Sequence, residues 1–211
     1  MNFSNIEDGG LIGYLIILIG VIAIGVFVER MLSLLKEKKE LARLDKIISE
    51  KLNNKDFNGA LEETRYSQSV AGKVFYDLLN KNSDKKSVLK LKLEESAAIE
   101  IPHLWKNLNL LSVIVSIAPL LGLLGTVLGM LQSFEQIESL AKLATGAYGP
   151  GVVAGGIKKA LVTTILGLMV AIPVNVMYSY LMSTVEKITL TMEKISYGII
   201  DVISESKENS K

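Results

Sequence analysis

Cysteine is absent from all 211 residues, which removes disulfides, thiolate chemistry and cysteine-ligated metals. A single histidine, His103, leaves no multi-histidine metal site within one chain. A surplus of either charge is lacking too: 23 basic and 22 acidic residues give a net charge of +1, so nothing electrostatic favours nucleic acid. No glycine-rich phosphate loop, HExxH pair or nucleophile elbow occurs, and an enzyme is the weakest reading. Neither cofactor nor metal is expected. Strand alternation, internal repeats and low-complexity tracts are missing as well, leaving an all-α chain.

What is present is uneven. Apolar residues make up 49% of the chain and charged ones 21%. The apolar excess sits in three blocks, Leu11–Val28, Leu108–Leu131 and Ala160–Val185, and none of them contains Asp, Glu, Lys, Arg or His. At about 1.5 Å per residue, each block can cross a hydrocarbon core of about 30 Å. Water-soluble helices uncharged on every face would need more protein to cover them than this chain supplies. The first block is expected to be a retained span rather than a secretory leader, because Glu7 and Asp8 precede it and no small-residue cleavage site follows.

The basic residues give an orientation. Residues 1–10 hold no Lys or Arg, residues 30–107 are rich in both, and residues 132–158 hold only Lys142 and Lys158. The positive-inside rule then places the N-terminus outside and the C-terminus in the cytoplasm. The expected layout is a periplasmic N-terminus (1–10), a first span (11–29), a cytoplasmic helical region (30–107) and a second span (108–131). A periplasmic loop (132–158), a third span (159–185) and a cytoplasmic C-terminal helix (186–211) follow.

Helical periodicity from Met31 to Leu52 carries the first span onward until Asn53-Asn54. Two short helices are predicted near Asp56–Arg65 and Val70–Leu79. After a turn at 80–84, capped by Ser83 or Asp84, a long helix is predicted to climb from about Lys85 into the second span, kinked near Pro102. His103, Trp105 and Lys106 read as an inner-interface anchor. The polar region reads as a helical bundle that extends and clamps the membrane helices.

Within the second span Ala118, Gly122, Gly125, Thr126, Gly129 and Ser133 recur at helical spacing, and within the third Thr164, Gly167, Ala171, Asn175 and Tyr178 do so. Such stripes serve close helix approach. They are also the candidate lining of a polar path: Thr126, Thr164 and Asn175, with Gly122, Gly125, Gly129 and Gly167. A threonine can hide its hydroxyl on its own helix, so the two readings stand side by side. No titratable group lies in the central parts of the spans, and a proton path would need a carboxylate from another subunit.

The run Ala118-Pro119-Leu120-Leu121-Gly122-Leu123-Leu124-Gly125-Thr126-Val127-Leu128-Gly129-Met130, then Phe134, resembles the A-P-x-x-G-L-x-G-T-V-x-G-M signature of the MotA/TolQ/ExbB proton-channel family. Ala160 to Pro173, then Tyr178, is similar to its A-L-x-x-T-x-x-G-L-x-x-A-I-P element, and Glu29-Arg30 to its E-R inner boundary. Length and three spans resemble the ExbB/TolQ branch more than the longer, four-span MotA branch. The resemblance implies a homopentamer in the inner membrane of a diderm bacterium, in contact with membrane lipid. It would surround a dimeric ExbD- or TolR-like one-span partner whose aspartate carries the proton. An ExbB-like system drives a TonB-like protein for outer-membrane transport, and a TolQ-like system drives envelope constriction. A non-conducting scaffold is the alternative from another class. Carried over by position, Thr126 and Thr164 would line the pore. The family's G-I-x-E-A-L reads Gly156-Ile157-Lys158-Lys159-Ala160-Leu161 here, so Lys159 replaces the glutamate and Lys158 and Lys159 become outer-mouth candidates. A cation there repels incoming cations, pairs with a partner acid, or snorkels to the interface. The family's asparagine after the tyrosine is Ser179, and Asn175, one turn earlier, is positioned to supply the amide.

Overall fold

A computed structural model describes residues 10–80, 85–142 and 150–208, with side chains for 10–80, 85–139 and 154–205. Residues 1–9 of the expected periplasmic N-terminus, the candidate caps Ser83 and Asp84, and the middle of the 132–158 loop lie outside the described residues. The described residues hold six α-helices and one short 3-10 turn, with no strand among them. In order these are α1 (Gly10–Asn53), α2 (Phe57–Arg65), α3 (Val70–Leu79), α4 (Lys86–Glu100), the 3-10 turn Ile101–His103, α5 (Leu108–Lys142) and α6 (Pro150–Glu208).

Three helices, α1, α5 and α6, are long and apolar enough to cross a membrane. Only 22%, 28% and 39% of their most apolar stretches are buried within the chain. Leu18, Leu120, Ile172 and Val176 are all more than half exposed. Side chains of this kind need hydrocarbon or another protein surface around them, not water.

The chain divides into two compact units. The first comprises Met1–Val28 and Asn107–Ser179. Its three helices meet where Ile16 of α1 packs on Val162 and Leu166 of α6, with Ile12, Leu121 and Val170 around them. Pro119 and Pro173 sit inside α5 and α6. Each withholds one N–H from the preceding turn, a break in the ladder that neighbouring helices tolerate in apolar surroundings.

The second unit comprises Glu29–Lys106 and Tyr180–Lys211. Leu34, Leu41, Leu44, Ile48 and Leu52 form the buried stripe of α1 at helical spacing. α1 stops at Asn53 because Lys55 turns left-handed (φ 58°), letting the Asp56 N–H reach the Lys51 carbonyl at 2.9 Å. Asp56 then caps α2 through the Gly59 N–H (2.9 Å) and accepts from Lys51 Nζ (2.9 Å), contacts that hold its carboxyl below the usual carboxylate range. Ser69 caps α3 through the Gly72 N–H (3.0 Å). Glu37 of α1 accepts the Val70 N–H at 3.1 Å, so a side chain from a distant helix completes that cap. Burial raises the Glu37 carboxyl above its ordinary range, with the Val70 N–H and Lys73 opposing.

The two short helices appear where periodicity places them. The expected continuous climb from Lys85 does not. α4 ends at Glu100, the 3-10 turn follows, and Asn107 adopts a left-handed conformation (φ 61°) before α5 starts at Leu108. Pro102 sets the end of the first helix, and asparagine tolerates the left-handed region better than most residues. His103 is exposed in that turn and Trp105 is half-buried.

Candidate functional site

Small residues bring α5 and α6 together along one face of each. On α5 the buried positions are Ala118, Gly122, Gly125, Gly129 and Ser133; on α6 they are Ala160, Thr163, Gly167 and Ala171. A Cβ on Gly122 would stand 2.9 Å from the Thr163 carbonyl oxygen, and one on Gly167 only 2.6 Å from that of Ala118. One on Gly129 would stand 3.1 Å from the Ala160 Cβ, and one on Gly125 would overlap the Thr163 side chain. Backbone proximity therefore requires glycine at Gly122 and Gly167, the Thr163 side chain requires it at Gly125, and Gly129 packs tightly on Ala160.

Hydroxyls cross the same contact. Thr163 donates to the Ala160 carbonyl (2.7 Å) and lies 3.2 Å from that of Gly122. Thr164 donates to the same Gly122 carbonyl at 3.2 Å. Ser133 bonds the Gly129 carbonyl on its own helix at 2.9 Å. Thr126 is half-buried and donates to its own helix, to the Leu123 carbonyl at 2.6 Å. Asn175 is exposed and shares a face with Thr164, eleven residues or about 16 Å along α6.

The structure thus groups Gly122, Gly125, Gly129 and Gly167 at the helix contact and sets Thr126 and Thr164 at its flanks. Thr163, which no motif in the sequence singles out, is the buried hydroxyl at the centre of this contact. Its signal was the run of small residues Gly156, Ala160, Thr163, Gly167, spaced four, three and four, whereas the choice of Thr164 followed the family motif.

The remaining candidates are Lys158, Lys159, Glu29 and Arg30. Lys159 is half-buried and its side chain covers Gly10, its Nζ 3.5 Å from where a Cβ would stand; Lys158 is exposed. In the second unit Arg30 is only 7% exposed, and its Nε donates to Glu29 Oε2 at 2.7 Å while Nη2 engages Oε1. A guanidinium at this depth needs such a bidentate partner. No group of acids and histidine able to hold a metal occurs among the described residues.

An all-helical protein, with three helices able to cross a membrane and two of them fused by small residues and threonines, is the class these features define. Residues 66–194 match the MotA/TolQ/ExbB proton channel family, and the chain belongs to that family. It is similar to an ExbB homolog of Methanothermobacter thermautotrophicus, 29% identical over 91% of this chain and 68% of the relative. It is also similar to the biopolymer transport protein ExbB of Pseudomonas putida, 32% identical over 69% of this chain and 39% of that protein. With ExbB of Aquifex aeolicus it shares 38% identity over 44% of this chain and 60% of that protein. The chain therefore spans only part of each of these relatives.

Proposed function

We propose that this chain is the ExbB-like subunit of an inner-membrane motor in which proton flow energises TonB-dependent outer-membrane transport. The observation that supports the reading is that Thr126 on α5 and Thr164 on α6 each place a half-buried hydroxyl beside the α5–α6 contact, in spans whose central parts offer nothing to titrate. In this reading Thr126, Thr164 and Asn175 face the pore. Gly122, Gly125, Gly129 and Gly167 bring their helices close enough to form its wall. Lys158 and Lys159 stand at the outer mouth, and Glu29 and Arg30 mark the inner boundary. The homo-oligomer, a pentamer, encloses an ExbD- or TolR-like helix whose aspartate takes up and releases the proton. A TonB-like protein receives the work. The second unit is the cytoplasmic bundle, and the N-terminus is periplasmic.

Two experiments test this. Cysteines introduced into this cysteine-free chain report topology. Asn5→Cys should react with a membrane-impermeant thiol reagent in intact spheroplasts, and Asn54→Cys should react only after permeabilisation. The reverse pattern would invert every assignment above.

Thr126→Val and Thr164→Val keep the branched shape and delete the hydroxyl. An interhelical hydrogen bond in a membrane is worth about 0.6–1.7 kcal/mol. Thr164→Val should therefore lower thermal stability slightly, while Thr126→Val, whose hydroxyl bonds its own helix, should leave it unchanged. Both should sharply reduce work that depends on the proton gradient. Normal work by either variant removes that threonine from the pore. Collapse of the gradient separates motor from scaffold, since only a motor loses its output.

A further inference from the structure

The second unit has an open seam between α1 and α6. A cavity of about 290 Å³ there is lined by Leu35, Lys38, Ala42, Lys187 and Ile188, among others. A second, of about 460 Å³, continues it past Ile48, Lys194, Ile195 and Ile199. The two share Asp45 and Thr191, so they form one groove with an apolar floor. Lys38, Lys187 and Lys194 rim it, and none of the three pairs with a carboxylate among the described residues; Asp45 is the one acid in its lining.

The same unit carries a surface of complementary character. On α4 the outward stripe holds Leu91 (57% exposed), Ile99 (67% exposed) and the exposed acids Glu94 and Glu95. Glu95 has only a surface neighbour, Lys92 at 3.7 Å, a pairing of little worth. A short helix with two bulky apolar residues two turns apart and acids between them suits a groove with an apolar floor and a basic rim.

Height along the helices selects the occupant. Lys86 meets Asp201 at 2.6 Å, and Lys90 lies over the Tyr197 ring at 5.8 Å, so α4 runs antiparallel to α6 in step with it. Extending that step at about 1.5 Å per residue brings Ile99 level with Ile188, Glu94 level with Glu193, and Leu91 level with Ser196. Ile99 is thus at the height of the first cavity and Leu91 at that of the second. Glu94 and Glu95 fall between, within about 2–3 Å in height of Lys194. Copies of one chain inserted the same way in one membrane are related only by rotation about its normal, so a residue on one copy meets residues of equal height on the next. The match in height is what such a rotation requires.

We propose that the outward stripe of α4 docks into the α1–α6 groove of a neighbouring copy, head to tail, so that this contact builds the ring. The proposal rests on the reading that α1, α5 and α6 span the membrane. Glu94 and Glu95 approach Lys194, Lys187 adds positive charge about 8 Å from them along α6, and Ile99 and Leu91 fill the two cavities.

Two chains with different tags, one Ile99→Cys and the other Ala42→Cys, should yield a disulfide-linked heterodimer on mild oxidation in membranes. Ile99→Cys with Arg65→Cys, on the exposed side of α2, should not. Glu94→Lys with Glu95→Lys should convert the detergent-solubilised assembly to monomer, and so should Lys187→Glu with Lys194→Glu. All four changes in one chain should restore the wild-type mass. No cross-link at Ile99/Ala42, equal cross-linking of both pairs, or an unchanged mass in both charge-reversed variants overturns the proposal. So does loss of bound phospholipid from the groove variants without loss of the oligomer, which would make the groove a lipid site. A missing cross-link in a complex that still performs proton-driven work overturns the docking and leaves the channel reading standing. A cross-link in membranes where the partnered complex conducts nothing does the opposite.

Discussion

Reconstituted alone in liposomes, the chain is expected to conduct almost no protons. The central parts of its apolar stretches contain no Asp, Glu, Lys, Arg or His, and the hydroxyls of Thr163 and Thr164 are committed to backbone carbonyls. A hydroxyl so engaged can pass a proton along a chain of waters but cannot store one at neutral pH. On the proposed reading the storage group is borrowed, which spares the lone chain the cost of an unpaired charge at the bilayer centre, about 2.5–3.5 kcal/mol on insertion scales. A protomer without one avoids that cost until its partner arrives. Co-expression with a one-span partner should raise the flux strongly, and changing the partner's membrane aspartate to asparagine should abolish it while the complex still co-purifies. Measured by quenching of a pH-sensitive dye, saturable conduction by the lone chain would show that water held by Thr126, Thr164 and Asn175 suffices.

The other large effect is expected at Gly167. Alanine there would press its methyl carbon to 2.6 Å from the Ala118 carbonyl oxygen, and a backbone atom cannot turn aside. The helices must separate, and overpacking of this kind costs about 1–3 kcal/mol. Gly167→Ala should lower the melting temperature of the solubilised protein by several degrees and reduce its accumulation in membranes. Gly155→Ala and Gly25→Ala meet nothing within 4 Å. Both should stay close to wild type. Equal losses at all three positions would mean that the α5–α6 approach does not govern the response, since helix propensity alone favours alanine at each of them.

Much of the architecture was written in local patterns. Uncharged runs of 18 residues and more announce helices able to cross a membrane, and the leucine spacing after Met31 announces the extension of α1. The short helices α2 and α3 were legible in position, while their caps, Asp56 and Ser69, emerge from the folded chain. The break between α4 and α5 was not. A proline can kink a helix or end it, and the outcome here depends on Asn107 turning left-handed, which no spacing reveals. The stripe of α5 was legible as a set of small residues, yet its two sides were not separable by eye. Thr126 is adjacent in sequence to Gly125 and sits about 100° around the helix from it, which is enough to move it from the contact to its flank. Thr163 was overlooked because its neighbour Thr164 occupied the motif position. The cap that Glu37 gives to Val70 spans 33 residues of sequence and could be read only from the folded chain.

The carbonyl of Gly122 lies 3.2 Å from two hydroxyls on α6, Thr163 and Thr164, and its α-carbon is hemmed in by the backbone of the same two residues. Sliding α5 by one residue along α6 would break these bonds and drive Leu121 or Leu123 into a space that holds only hydrogen. Shear between these two helices is thereby blocked, though small sliding of packed helices is a common way for proteins to change shape. The pair is held in one register, and sliding either helix would first have to break both bonds to the Gly122 carbonyl.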